Sequence, residues 1–172
     1  MGQNALFTNP DLDAESDGPG GWHVDDLVQF PLPAGVPHHD PNIPLPCNVM
    51  QLFTPVTLIN SVACGPTQLV PQSHYAGRGP DTQDHPCFDG NCPVSILTKP
   101  GDAYIFNNQV WHRGAPNASQ RRRLLAGATY SKRYIAQRFY PFIDYRMPGH
   151  VWEGASPRLQ RMLGRHKSGS YG

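Results

Sequence analysis

The segment Gly21-Trp22-His23-Val24-Asp25 sets an imidazole and a carboxylate two positions apart, and Trp111-His112-Arg113-Gly114 and Arg121-Arg122-Arg123 follow far downstream. On an extended strand, side chains at i and i+2 leave on the same side, so His23 and Asp25 can address one point. A histidine from a distant strand would bring a third donor. Two imidazoles and one carboxylate on one side of an octahedron leave the remaining positions open. That set suits a non-haem Fe(II) centre that must also take O2 and a further ligand. Alone, His-x-Asp recurs in many chains as a satisfied histidine beside a surface acid, so the pair gains meaning only from what joins it.

The elements that must position these residues are short. A chain of 172 residues suffices for one domain, burying roughly 70% of its unfolded surface. With 19 Pro, 17 Gly and only 16% charged residues, the composition favours many strands and turns over long helices. Fourteen Lys and Arg against 13 Asp and Glu leave a net charge of +1, which gives no general attraction to nucleic acid or to an anionic membrane. A small molecule is therefore the expected partner. Met1 to Phe7 carries no basic segment followed by an apolar stretch, and no apolar run approaches the ~20 residues that span a bilayer, so the expectation is a soluble cytoplasmic protein. In that setting disulfides among Cys47, Cys64, Cys87 and Cys92 are disfavoured. Cys47 and Cys64 read as small buried residues, and a zinc site from Cys87, Cys92 and His85 is a minor alternative.

Residues 1–20 read as a turn-rich lead-in loop, 21–134 as the core and 135–172 as a C-terminal extension of one domain. Between Leu32 and Pro46 five prolines interrupt any ladder, so His38, His39 and Asp40 are expected on a solvated loop. Strands are expected over Asn48 to Ile59, broken near Pro55, and again at Val94 to Leu97, Ala103 to Phe106 and Arg122 to Tyr130, while Gly65 to His74 reads as a short strand leading into a turn. The irregular stretch Tyr75 to Pro93 has the length of a functional insertion. On the last strand Arg123, Leu125, Gly127 and Thr129 share one face; parity does not say which face is inside. Ser156-Pro157 through Gly164 reads as a short capped helix.

Taken in order, Gly21-Trp-His23-Val-Asp25, Gly65-Pro-Thr-Gln-Leu-Val-Pro71-Gln-Ser73-His74, Gly101-Asp102-Ala-Tyr-Ile-Phe, and His112 followed by Asn117-x-Ser119 and Arg123 resemble the phytanoyl-CoA dioxygenase family. The resemblance implies an all-β double-stranded β-helix, a jelly-roll or cupin-like barrel, holding Fe(II) at one mouth and using 2-oxoglutarate as cosubstrate. It implies His23, Asp25 and His112 as iron ligands. It also implies a cosubstrate arginine eleven residues after the distal histidine, which is Arg123. Arg121 and Arg122 are its rivals. Physically, the far carboxylate of a 2-oxo acid buried in a barrel needs a fixed cation, and a guanidinium offers two parallel donors where lysine offers a point charge.

The implied reaction hydroxylates a small organic substrate with O2 and releases succinate and CO2. Asp25 occupies the ligand position that related halogenases leave to a small residue, which favours hydroxylation. The alternative is a non-catalytic cupin-like barrel that binds metal or ligand without turnover; retention of Arg123 weighs against it. Family members carry a longer segment before His-x-Asp. The barrel is accordingly expected to lack part of its N-terminal helical and strand buttress, leaving an edge that a second copy of the chain could cover. Substrate identity is not encoded in the composition of the loops around the mouth, and His74 is left between a structural and a pocket role.

Overall fold

Alternate residues at the start of the longest strand, Arg123 and Leu125, are buried. The computed structural model describes residues 2–132, 134–135, 147–163 and 165. Among the described residues seven strands run in chain order: β1 (Gly2–Thr8), β2 (Val49–Pro55), β3 (Thr67–Leu69), β4 (Val94–Ile96), β5 (Tyr104–Asn107), β6 (His112–Gly114) and β7 (Arg123–Ser131). They form two antiparallel sheets, ordered β1-β7-β2-β5 and β4-β3-β6. Two helices, α1 (Gly149–Gly154) and α2 (Pro157–Met162), follow. This is the mostly antiparallel, two-layered arrangement of a jelly roll.

On β7 the face carrying Arg123 and Leu125 turns inward and Ala126 faces out, which answers the question that parity left open. Across the ladders Pro55 pairs with Leu125, Phe53 with Gly127 and Gln51 with Phe106. Their inward neighbours Phe53, Phe106 and Leu125 pack with Ile59, and with Leu69 from the second sheet, into the inter-sheet core. Trp22, Val70, Ala76, Phe88 and Trp111 form a second cluster. The two tryptophans flanking the proposed ligands are 3% and 1% exposed and so belong to packing.

Three expectations need correction. Residues 1–20 are not all lead-in loop. Gly2–Thr8 pairs with β7 over seven positions, from Gly2 opposite Thr129 to Thr8 opposite Arg123. A nine-residue strand presents a row of backbone donors and acceptors along its free side, and an adjacent extended segment satisfies them. Cys87 and Cys92 are joined by a disulfide with Cα atoms 4.4 Å apart, closing a loop in which Phe88 and Asn91 exchange backbone hydrogen bonds. That pairing removes both thiols from any zinc site. Cys47 and Cys64 are free but half-buried, not buried. The anticipated helix is present as α2, with Ser156 Oγ accepting from the Leu159 amide at 3.2 Å and Pro157 at its first position; α1 before it was not anticipated.

Leu125 is 2% exposed between the sheets. Leu125→Ala should lower unfolding free energy by about 2–5 kcal/mol, whereas Leu124→Ala, on the opposite face, should cost well under half as much. Parallel urea denaturation of the two variants checks the inward assignment of the odd-numbered face.

Candidate metal centre

His23 and His112 are joined by one antiparallel bridge. The His23 amide donates to the His112 carbonyl at 3.0 Å and the His112 amide returns the bond at 2.9 Å. The imidazoles consequently sit side by side, with ring centroids 4.3 Å apart. What brings the N-terminal segment to β6 is Arg113, only 1% exposed. Its Nη1 donates to the carbonyls of Gly18 and Gly20, Nε to Gln68 Oε1 at 2.7 Å and Nη2 to Asp17 at 3.3 Å. Its guanidinium also lies 4.8 Å from the Trp22 ring centroid. Burial lowers its pKa and Asp17 opposes that fall. Gln83, within the long irregular stretch, clamps both the Trp22 amide and the Trp22 carbonyl at 2.9 Å. Arg113 carries no sequence signal beyond adjacency to His112, because burial of a charged residue cannot be read from periodicity.

Asp25 reaches the histidines by a bend rather than along a regular strand. Its amide donates to the Asn108 carbonyl at 3.1 Å, and its carbonyl accepts from Gln109 Nε2 at 3.3 Å. Asp26 next to it takes a left-handed φ of 57° and accepts a side-chain hydrogen bond from Asn108 at 3.3 Å. Asp25 Oδ1 thereby lies 3.6 Å from His23 Nε2 and 3.5 Å from His112 Nε2. One donor atom from each of the three residues falls within 4.8 Å of the others. His23 Nδ1 donates to the Gly21 carbonyl at 2.7 Å and His112 Nδ1 to the Val110 carbonyl at 2.8 Å. Those bonds favour the tautomer with both Nε2 lone pairs directed at the shared point, as a metal-binding histidine requires. Two neutral imidazoles and one carboxylate fit a divalent first-row metal.

Without an ion the carboxylate and imidazoles stabilise each other. Burial alone would raise the Asp25 pKa, but hydrogen bonds from His112, His23 and Gln51 outweigh it and hold the carboxyl below the usual range. For His23 the hydrogen bond to Asp25 leads, opposed by burial, and its pKa rises above 6.5.

Among the three arginines the structure separates one from two. Arg121 and Arg122 are exposed, while Arg123 is 7% exposed. It donates through Nη1 to the Gly65 carbonyl and through Nη2 to Thr8 Oγ1 at 2.7 Å. Its Nε is buried with no hydrogen-bond partner among the described residues. Burial lowers its pKa, with the nearby Tyr104 opposing. Gly114 makes room for it: a Cβ there would lie 3.1 Å from Arg123 Nη2. Gly114 stands two positions after His112 on β6, so the guanidinium lies against the strand that carries that imidazole.

Other candidates stay apart from this centre. His38 Nδ1 bonds to the His39 carbonyl at 2.7 Å and His39 Nε2 to the Phe30 carbonyl at 2.8 Å, fastening their own loop. Asp40 caps a turn at Asn42. His74 packs against Tyr75 at 4.2 Å, and burial pushes its pKa down.

Comparison with known proteins agrees with the fold. The sequence profile described as phytanoyl-CoA dioxygenase matches residues 4–125. A protein described as dioxygenase cnsJ from Penicillium expansum is 29% identical over 143 residues, covering 82% of this chain and 39% of that protein. The solved structure of the epimerase SnoN in complex with Fe3+, alpha-ketoglutarate and nogalamycin RO aligns with a TM-score of 0.53 at 22% identity, covering 90% of this chain and 57% of that one. A second structure of SnoN, the non-haem alpha-ketoglutarate-dependent epimerase from nogalamycin biosynthesis, aligns with a TM-score of 0.51 at 20% identity, covering 90% of this chain and 54% of that one. The chain thus spans about two fifths of the dioxygenase and just over half of the epimerase.

Because the His23 pKa is raised, its pairing stabilises the metal-free fold fully below 6.5 and is lost as pH rises through the folded value. The lowered Asp25 contributes above 3.8, and that share is lost only as pH falls through its folded value. A metal needs His23 neutral, so ion and proton compete. Divalent-metal affinity should therefore fall as pH drops through the raised His23 value, with proton release on binding measured by calorimetry in buffers of different ionisation enthalpy. Pairing-free, pH-independent uptake between 5.5 and 8, on the order of the usual histidine range, would show that His23 is not a ligand.

Proposed function

This chain belongs to the phytanoyl-CoA dioxygenase family, and on that premise we propose that it is a non-haem Fe(II)- and 2-oxoglutarate-dependent oxygenase hydroxylating a small organic substrate. His23, Asp25 and His112 are its iron ligands and Arg123 its cosubstrate anchor. When bound, the metal supplies activation of O2 against the 2-oxo acid, which leaves as succinate and CO2 while a substrate carbon gains a hydroxyl. The observation that carries the reading is Arg123. A buried guanidinium with a free Nε, lodged against Gly114 two residues from His112, is a cation without a carboxylate among the described residues. A bare metal-binding module has no use for it.

Each remaining part of the machinery is supplied by the chain itself. The Gly21 and Val110 carbonyls hold the imidazoles with Nε2 forward. Asp25 contributes one negative charge, which partly neutralises a divalent ion and lets it enter a half-buried site. Arg123 would give the far carboxylate of the cosubstrate two parallel donors; Thr8 and the Gly65 carbonyl now hold the guanidinium in place. Among the described residues no helix is long and apolar enough to cross a membrane.

Anaerobic addition of Fe(II) and 2-oxoglutarate should produce the visible charge-transfer band of the chelate, and admission of O2 should yield succinate. Asp25→Ala should abolish both. Arg123→Leu should weaken cosubstrate binding by about 2–5 kcal/mol, whereas Arg121→Leu should leave it unchanged. Absence of both band and succinate in the wild-type chain would sink the oxygenase reading, and the reverse pattern between Arg121 and Arg123 would move the anchor.

A further inference from the structure

Asp25 uses its two oxygens differently. Oδ1 faces both histidines at 3.6 and 3.5 Å, while Oδ2 accepts from Gln51 Nε2 at 2.8 Å. The amide is itself held, since Thr129 Oγ1 donates to Gln51 Oε1 at 2.7 Å. An ionised carboxylate can only accept, so the NH2 end of Gln51 must face Asp25 and its oxygen must face Thr129, whose hydroxyl therefore donates. Backbone pairing builds this chain: Gln51 and Thr129 stand directly opposite each other in the β2–β7 register. Both lie on the faces that elsewhere bury Phe53 and Leu125, and a polar pair in that setting calls for a reason. Phe106, opposite Gln51 across the β2–β5 ladder, sits with its ring centroid 5.0 Å from that of His112, so the same row also supports the neighbouring imidazole.

Resting on the metal-site reading above, we propose that Gln51 and Thr129 are positioning residues that restrict Asp25 to one ligand oxygen. A carboxylate free to turn can place both oxygens on a metal and take two positions. With Oδ2 engaged by an amide, Asp25 takes one, and with the two imidazoles fills three of six. Three stay open for a chelating 2-oxo acid and O2. A neutral amide suits the task because it fixes the carboxylate without adding charge beside the ion, as a lysine or arginine would.

Co(II) alone, without cosubstrate, tests this in the intact chain through affinity and through the infrared difference spectrum of metal binding. The gap between antisymmetric and symmetric carboxylate stretches is wide for one-oxygen ligation and narrow for two. Gln51→Met, matched in length and unable to donate, should bind Co(II) roughly 10–100-fold more weakly, the usual effect of losing such a partner, and should narrow the gap. Thr129→Val should weaken binding by about fivefold, the size of one lost neutral hydrogen bond, and Thr129→Ser should restore it. Wild-type affinity in Gln51→Met, or weaker binding with the wide gap retained, overturns the proposal. Should Gln51→Met fail to fold, unaltered binding by Thr129→Val overturns it equally. A wild-type chain that takes up no Co(II) overturns the metal reading, and this inference with it.

Discussion

The reciprocal backbone hydrogen bonds between His23 and His112 are the constraint on which the candidate site depends. A single bridge of this kind fixes the spacing and direction of two Cα–Cβ bonds far more tightly than side-chain contacts could. It forms only because the chain before His23 is pinned to β6. Arg113 does the pinning from within, engaging the carbonyls of Gly18 and Gly20, and Gln83 does so from the long loop by satisfying Trp22 at both backbone atoms. A buried guanidinium is costly to desolvate, and four hydrogen bonds to two carbonyls, an amide oxygen and a carboxylate offset that cost. The residue next to His112 thus places His23.

A second strand-level constraint links the two ends of the site. β6 carries His112 and Gly114 on one side, and β7 carries Arg123 on its inward face. The missing side chain at Gly114 is what lets the guanidinium lie against β6. β1 contributes from outside the expected core, because Thr8 stands opposite Arg123 in the ladder and its hydroxyl accepts from Nη2. The segment before His23 is therefore part of the candidate site's support, extending the sheet and completing the surroundings of the arginine.

Polar groups that look decorative in isolation turn out to form a connected layer. Gln51, Thr129, Asn108 and Gln109 hold Asp25 through its second oxygen, its amide and its carbonyl. The Pro-rich loop uses His38 and His39 to satisfy its own backbone, which is how a segment barred from ladders by proline stays ordered. The disulfide between Cys87 and Cys92 fastens the loop bearing Phe88, whose ring packs edge-on to Trp111 at 5.9 Å.

Much of this was legible in the residues alone. Strand-forming residue types located β4, β5 and β7 to within a residue or two and the start of β2, though not its end at Pro55, and side-chain period, a local property of extended backbone, grouped Arg123, Leu125, Gly127 and Thr129 on one face. Donor chemistry was equally local: histidine, aspartate and an arginine fork announce what they can hold. Which face turned inward, which arginine was buried, and that Gln51 would meet both Thr129 and Asp25 depended on ladder register and on packing between sheets, and those are set by contacts between residues distant in sequence. The same holds for β1, whose strand character comes from the open edge of β7 rather than from its own pattern, and for the Cys87–Cys92 bond, which needs two Cα atoms brought to 4.4 Å by a turn. Sequence by itself determined the kinds of chemistry on offer; tertiary structure decided which atoms face one another, because only folding makes distant residues neighbours.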